Sequence, residues 1–271
     1  MGELYDLAQS TIHKQLAVGF HLRFLEWLGR PLQRGARVLD FGCGAGHSVD
    51  VLLDRGFDAY GCDVREWWGK DIAQLRADYG ITYVAPARVV DRLRCFSSSD
   101  PSLPFAKSSF DLCFSDQVLE HVFDHVTAFR QIAGMLKADG ISVHRFPGPN
   151  MLMEGHVGLP FPALCHIEPY LMIWALLGRR TPTQRGQSWR EALASNIQVM
   201  QTVEYRSKRY LRACAREAGV KIAFFEADEM RLREFGTAAK LVARARRFGI
   251  DGALARLLSL MAQRYMVLTR A

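Results

Sequence analysis

The sequence predicts an α/β fold built on a mostly parallel sheet, and three observations lead there. β-type runs and helical segments alternate through most of the chain. The run Arg37-Val38-Leu39-Asp40 passes into glycines at every second position, Gly42, Gly44 and Gly46. A later run, Phe57 to Cys62, closes on an acid, Asp63. Strand, crossover helix and strand in repeated order give parallel pairing, right-handed connections and helices on both faces. An apolar run such as Val38-Leu39 suits a strand buried on both sides, and glycine lets the following backbone turn tightly against a ligand.

Composition sets the outer bounds. A chain of 271 residues, 49% apolar and 23% charged, can bury a large core and is not disordered. We read residues 1–271 as one domain. The formal charge of +7 permits an anionic partner, yet the arginines are scattered, which also fits simple solubility. The six cysteines include no C-x-x-C pair, and several sit in apolar runs, so buried thiols are expected rather than disulfides or a structural zinc site. The start Met-Gly-Glu-Leu-Tyr-Asp lacks a basic region followed by an apolar one, and the apolar stretch Tyr170–Leu177 is too short to span a bilayer. The expected location is cytoplasmic.

Each element has its own signal. Leu7, Leu16, Phe20, Phe24 and Leu28 recur at helical spacing, so residues 3–29 predict one or two helices broken near Gly19 and stopped at Gly29-Arg30-Pro31. A strand to Asp40, the glycine turn and a helix over 47–55 follow, then the second strand. Residues 71–79 predict a helix and 93–96 a third strand. Serines and prolines make 97–105 a loop. A fourth strand is expected over 110–115, a helix over 117–136 ended by Asp139-Gly140, and a fifth strand over 141–146. Residues 148–200 break the rhythm with Pro147-Gly148-Pro149 and a set of aromatics, and we read them as a lid over an acceptor. A helix over 205–218 stopped by Gly219, a sixth strand over 220–226 and a last strand over 265–269 complete the chain. Between the last two, residues 231–260 are basic and amphipathic.

The chemistry begins at the glycine turn. A nicotinamide-binding turn, G-x-G-x-x-G, would need glycine at position 47, and the chain has His47. Asp40, two residues before the first glycine, can accept a hydrogen bond or face a positive charge. The pattern Asp40-x-Gly42-x-Gly44-x-Gly46 resembles the first motif of the class I S-adenosylmethionine (SAM) methyltransferases. The runs Leu103-Pro104-Phe105, Ser109-Phe110-Asp111 and Leu119-Glu120-His121-Val122 resemble those of the large group that includes the quinone-biosynthesis enzymes. Leu136-Lys137-Ala138-Asp139-Gly140 resembles its LKPGG turn without the proline.

The resemblance implies a Rossmann-like sheet of seven strands, mostly parallel with the last antiparallel, and a lid insertion after strand five. It implies SAM as cofactor, with Asp63 on the ribose hydroxyls and Asp40, Gly42, Cys43, Gly44, Gly46, Val64 and Ser115 around it. Asp100 falls near the family's adenine-binding acid. Gln117, just beyond strand four, is set to meet the methionine end of SAM or the acceptor.

A hydroxyl or amine acceptor needs a base, and histidine suits that work near neutral pH. His121, His144, His156 and His166 are the candidates. Some quinone-pathway relatives hold a divalent ion with E-x-x-E-H. This chain has Gln117 where the first carboxylate stands, so no metal is expected. The expected acceptor is a small or lipid-like molecule, with no nucleic acid partner and with residues 231–260 as a candidate membrane contact. RNA or protein methylation, and a non-catalytic SAM-binding scaffold, are the alternatives.

Overall fold

The computed structural model describes residues 2–64, 87–96, 104–234 and 236–271. The 71–79 helix, Asp100 and most of the 97–105 loop fall outside them. Seven strands form one sheet: β1 (Arg37–Phe41), β2 (Asp58–Val64), β3 (Leu93–Phe96), β4 (Phe110–Asp116), β5 (Leu136–Phe146), β6 (Val220–Phe224) and β7 (Arg264–Arg270). Their spatial order is β3-β2-β1-β4-β5-β7-β6. β1 to β5 pair in parallel, and β7 runs antiparallel between β5 and β6. The order therefore reverses between β1 and β4. In open α/β sheets that switch point, at the C-terminal strand ends, opens a crevice for ligands.

The buried strands follow from their sequence. Val38 and Leu39 are adjacent in β1 and point to opposite faces. Val38 joins Phe20, Phe24, Val49 and Leu52 from α1 (Gly2–Trp27) and α2 (His47–Asp54). Leu39 joins Phe110, Ile132 and Leu136 on the other face. Gly19 does not break α1. An interior glycine costs about 1 kcal/mol, and burial of Val18, Phe20, Phe24 and Leu25 outweighs it.

Two local expectations are corrected. Residues 117–136 are not one helix. A 3-10 turn at Leu119–His121 ends in extended Val122, and α4 (His125–Met135) starts afresh where the Asp124 side chain accepts the Thr127 amide at 3.0 Å. An Asp cap four residues after Glu120 is a stronger start signal than the apolar pattern running through it. Likewise the Asp139-Gly140 pair is no free turn. Phe110 pairs with Leu136 and Leu112 with Ile141, so the segment bulges within β5, and Lys137 Nζ lies 2.8 Å from both Asp111 oxygens.

After α3 (Ala87–Val90) and α4, the insertion supplies α5 (Glu168–Leu176) and α6 (Trp189–Met200). It packs around its own centre of Val157, Leu159, Cys165, Leu171, Met200 and Val203. α7 (Lys208–Ala218) is capped by Ser207 and ends on left-handed Gly219. The basic region is not a single amphipathic helix. It forms α8 (Glu226–Leu232), α9 (Thr237–Ala245) and α10 (Asp251–Ser259), folded around Met230, Val242 and Ala255. None of the six cysteines forms a disulfide.

Candidate active site

β1 and β2 lie in register with Asp40 beside Gly61, so the two carboxylates of the sequence motif reach the same sheet edge. The Gly42 and Cys43 amides both donate to the Cys62 carbonyl, at 2.8 and 3.1 Å, and this folds the glycine turn back onto β2. Gly42 has φ +79°, and a Cβ there would lie 2.4 Å from Val118 Cγ2. Gly44 has φ +50°, and a Cβ there would meet nothing within 4 Å among the described residues. The turn is thus packed on one side and open on the other. Gly46 begins α2, and Cys43 is buried with its thiol pushed up by burial.

Asp63 ties the turn to β2. Its Oδ2 accepts the Gly44 amide and its Oδ1 the Val64 amide, each at 2.8 Å. Each carboxylate oxygen still has a lone pair for a further donor. Burial raises the Asp63 pKa, against the pull of those two amides. Burial also pushes Asp40 up to about 7; Asp63 and Asp116 add to the rise, while Lys14 and Ser48 oppose it. A buried carboxylate poised near neutrality is stabilised in its charged form by a cationic ligand. An open glycine face, a carboxylate pair with spare acceptor capacity and a poised acid fit SAM, whose ribose offers two hydroxyls and whose sulfonium carries the charge.

At the end of β4, Gln117 has φ +60° and an exposed side chain, and its amide donates to the Arg145 carbonyl at 2.8 Å. Left-handed backbone in a non-glycine residue costs on the order of 1–2 kcal/mol and marks functional edges more often than packing. Asp116 beside it is clasped by Arg145 through two 2.8 Å hydrogen bonds, which offset burial and hold it below the ordinary range.

Ser115 and His144 meet inside the sheet. Ser115 is fully buried, with Oγ 2.8 Å from His144 Nδ1, and His144 Nε2 lies 2.9 Å from Ser142 Oγ. Burial drops His144 to about 3. With both ring nitrogens held by hydroxyls inside the sheet, His144 has no nitrogen to offer an acceptor. The Ser115 hydroxyl is likewise engaged by His144.

The other histidines gather. His121 and His156 stand edge to face with ring centres 5.1 Å apart, and His121 Nδ1 lies 2.8 Å from the Thr202 carbonyl. His156 Nδ1 is 2.7 Å from Glu154 Oε1. Tyr205 and the Val157 amide also donate to Glu154. Burial alone would raise Glu154, but these donors hold it down at about 2. The bond to Glu154 raises His156. Glu120 is fully buried, neither carboxylate oxygen has a hydrogen-bond partner, and burial lifts it to about 8. Glu120, His121 and His156 each offer one ligand atom, all within 4.8 Å of one another. His166 is exposed nearby, its ring centre 5.8 Å from that of Tyr205, and it lines a cavity of about 380 Å³ with Phe123, Leu171 and Met200.

Glu154, Tyr205 and Asp116 were not marked in the sequence. Glu154 stands two residues before His156, a weak local hint, and Tyr205 carries no local signal.

The likeness of this chain to known proteins falls on β1 to β5 and this edge. Residues 39–144 match the family described as "Methyltransferase domain". The chain is 33% identical over 104 residues to the uncharacterized methyltransferase YcgJ of Bacillus subtilis (strain 168), covering 38% of each chain. It is 30% identical over 123 residues to a ubiquinone biosynthesis O-methyltransferase of Bradyrhizobium diazoefficiens, covering 45% of this chain and 42% of the relative. It thus spans less than half the length of either curated relative. The solved structure of YcgJ superposes with TM-score 0.46 at 16% identity, covering 94% of this chain and 98% of that one. Among the described residues no helix is long and apolar enough to cross a membrane.

Proposed function

We propose that this chain is a methyltransferase that binds SAM on the edge formed by β1, β2 and β4 and methylates a small or lipid-like acceptor beneath residues 148–200. The observation that carries the reading is Asp63, bonded to the open Gly44 turn with acceptor capacity left over, next to the poised Asp40. SAM, when bound, supplies a sulfonium methyl already activated for in-line transfer, so the protein's tasks are alignment and removal of the acceptor's proton. Asp63 accepts from the ribose hydroxyls, and Asp40 faces the positive charge. His156 is the base: Glu154 fixes Nδ1 as the donor, which leaves Nε2 to receive the acceptor's proton. Glu120, raised to about 8, holds its proton at neutral pH and can donate to the acceptor.

A base works when deprotonated, so kcat/KM should rise with pH through a His156 pKa lying above its ordinary 6.5. Glu154→Gln keeps an acceptor but removes the negative charge that raises it. The limb should move to lower pH and SAM affinity should stay unchanged. A limb unmoved by Glu154→Gln, or full activity in His156→Ala, contradicts the assignment.

The orphaned Glu120 oxygens favour one second reading, a divalent cation held by Glu120, His121 and His156. Dialysis against a chelator, then metal analysis and assay, separates the two: an unchanged rate supports the base, and a loss restored by one metal supports the cation. An RNA acceptor would instead appear as retention on RNA with steep salt dependence.

A further inference from the structure

Past Glu168 and Pro169, α5 is apolar all the way round, yet half of it stays exposed among the described residues. Leu171 and Ala175 are buried, with Tyr170 and Trp174 packed beside Leu171 in the insertion's own centre. On the opposite side Ile173 is 53% exposed, Leu176 56% and the capping Leu177 72%. Met172 and Ile173, followed by Leu176 and Leu177, recur at i, i+1, i+4 and i+5, which makes one continuous stripe. Helices apolar on every side belong in a core or in an apolar medium.

The segment that carries this stripe is basic. Residues 161–190 contain four arginines, Arg179, Arg180, Arg185 and Arg190, and one acid, Glu168. Arg180 is fixed against the helix end by its bond to the Ala175 carbonyl at 2.9 Å. Two copies meeting across this face would bring two basic segments together. An anionic lipid surface offers hydrocarbon to the stripe and phosphate to the arginines at once. We propose that α5 is the element by which this protein rests on an anionic membrane, lying in the interface with Ile173, Leu176 and Leu177 immersed. Leu171, on the inner side of the same helix, lines the cavity of about 380 Å³ with His166 and Met200. One helix therefore separates that cavity from the lipid.

The rival surface is in the C-terminal region, where Phe248 is 77% and Leu257 63% exposed near Arg246, Arg247 and Arg256. Flotation of the full chain with phosphatidylcholine vesicles, with and without about one third phosphatidylglycerol, decides between them. The proposal expects flotation with the anionic vesicles and little with the neutral ones. It expects the charge-neutral pair Ile173→Ser/Leu177→Ser to lower binding about tenfold or more, while Phe248→Ser/Leu257→Ser stays near wild type. SAM affinity of each variant, measured alongside, reports folding and tests the methyltransferase reading separately. No flotation of the wild type, loss only in the Phe248/Leu257 pair, or a dimer in sedimentation that the Ile173/Leu177 pair dissolves would each overturn the proposal.

Discussion

Gly42 bears two constraints at once, a φ of +79° and a Val118 methyl group where a Cβ would stand. Gly42→Ala should therefore destabilise by roughly 2–4 kcal/mol, part from backbone strain and part from overlap. Adding Val118→Ala should recover only the overlap share. Thermal melts of the single and double variants check this, and a single variant as stable as wild type would remove the packing argument. The motif residues were legible because local backbone geometry sets them: a strand end, left-handed turns and an acid on the next strand follow from sequence order. The surroundings of His144 were hidden for an equally physical reason. It lies in β5 at the crevice end, but its side chain is directed between Ser115 and Ser142, and alternation within a strand buried on both sides leaves no polar pattern to reveal that. Glu154 and Tyr205 are 51 residues apart, and only the tertiary fold unites them.

At the scale of elements, the insertion is the part least visible in the sequence and the most self-contained in the structure. Its aromatic content suggested a cover; its helices fold around Leu171 and Met200 rather than into the sheet's core. Leu171→Ala, at a buried site, should cost about 2–4 kcal/mol. Because the loss falls within 148–200, protease cleavage should rise in that segment while SAM affinity changes by less than about twofold. Cleavage spread evenly over the sheet would show that the insertion and the sheet unfold together. The 3-10 turn at Leu119–His121 was missed because Val118, Leu119 and Val122 keep a helical spacing through it. The Asp124 cap resets the helix and leaves Glu120 and His121 on a turn at the crevice.

For the whole molecule, the two carboxyls raised furthest, Asp40 and Glu120, link stability to pH. Asp40 moves from 3.8 to about 7 and Glu120 from 4.5 to about 8, each through burial first. The folded chain holds protons the unfolded chain has released, so this contribution is complete below about pH 4 and is lost as pH rises toward 8. Below about pH 7 buried histidines such as His144, whose pKa burial depresses, act in the opposite sense; above it the melting temperature without ligand should fall up to about pH 8.5, and saturating SAM should flatten the fall, since its positive charge favours ionised Asp40. A melting temperature that rises over that range without ligand would contradict the burial argument. The sheet was legible as a whole because its alternation is periodic and its strands are apolar.

The central claim is that the Asp63 carboxylate holds SAM, and calorimetric titration of SAM into the wild type and Asp63→Ala tests it most directly. Removing two charge-assisted acceptors should cost about 3 kcal/mol, roughly a 100-fold weaker Kd. Loss of the Gly44 and Val64 partners should lower stability by only about 1–2 kcal/mol. A folded Asp63→Ala protein that binds SAM as tightly as the wild type, or a wild type that does not bind SAM, would contradict the account.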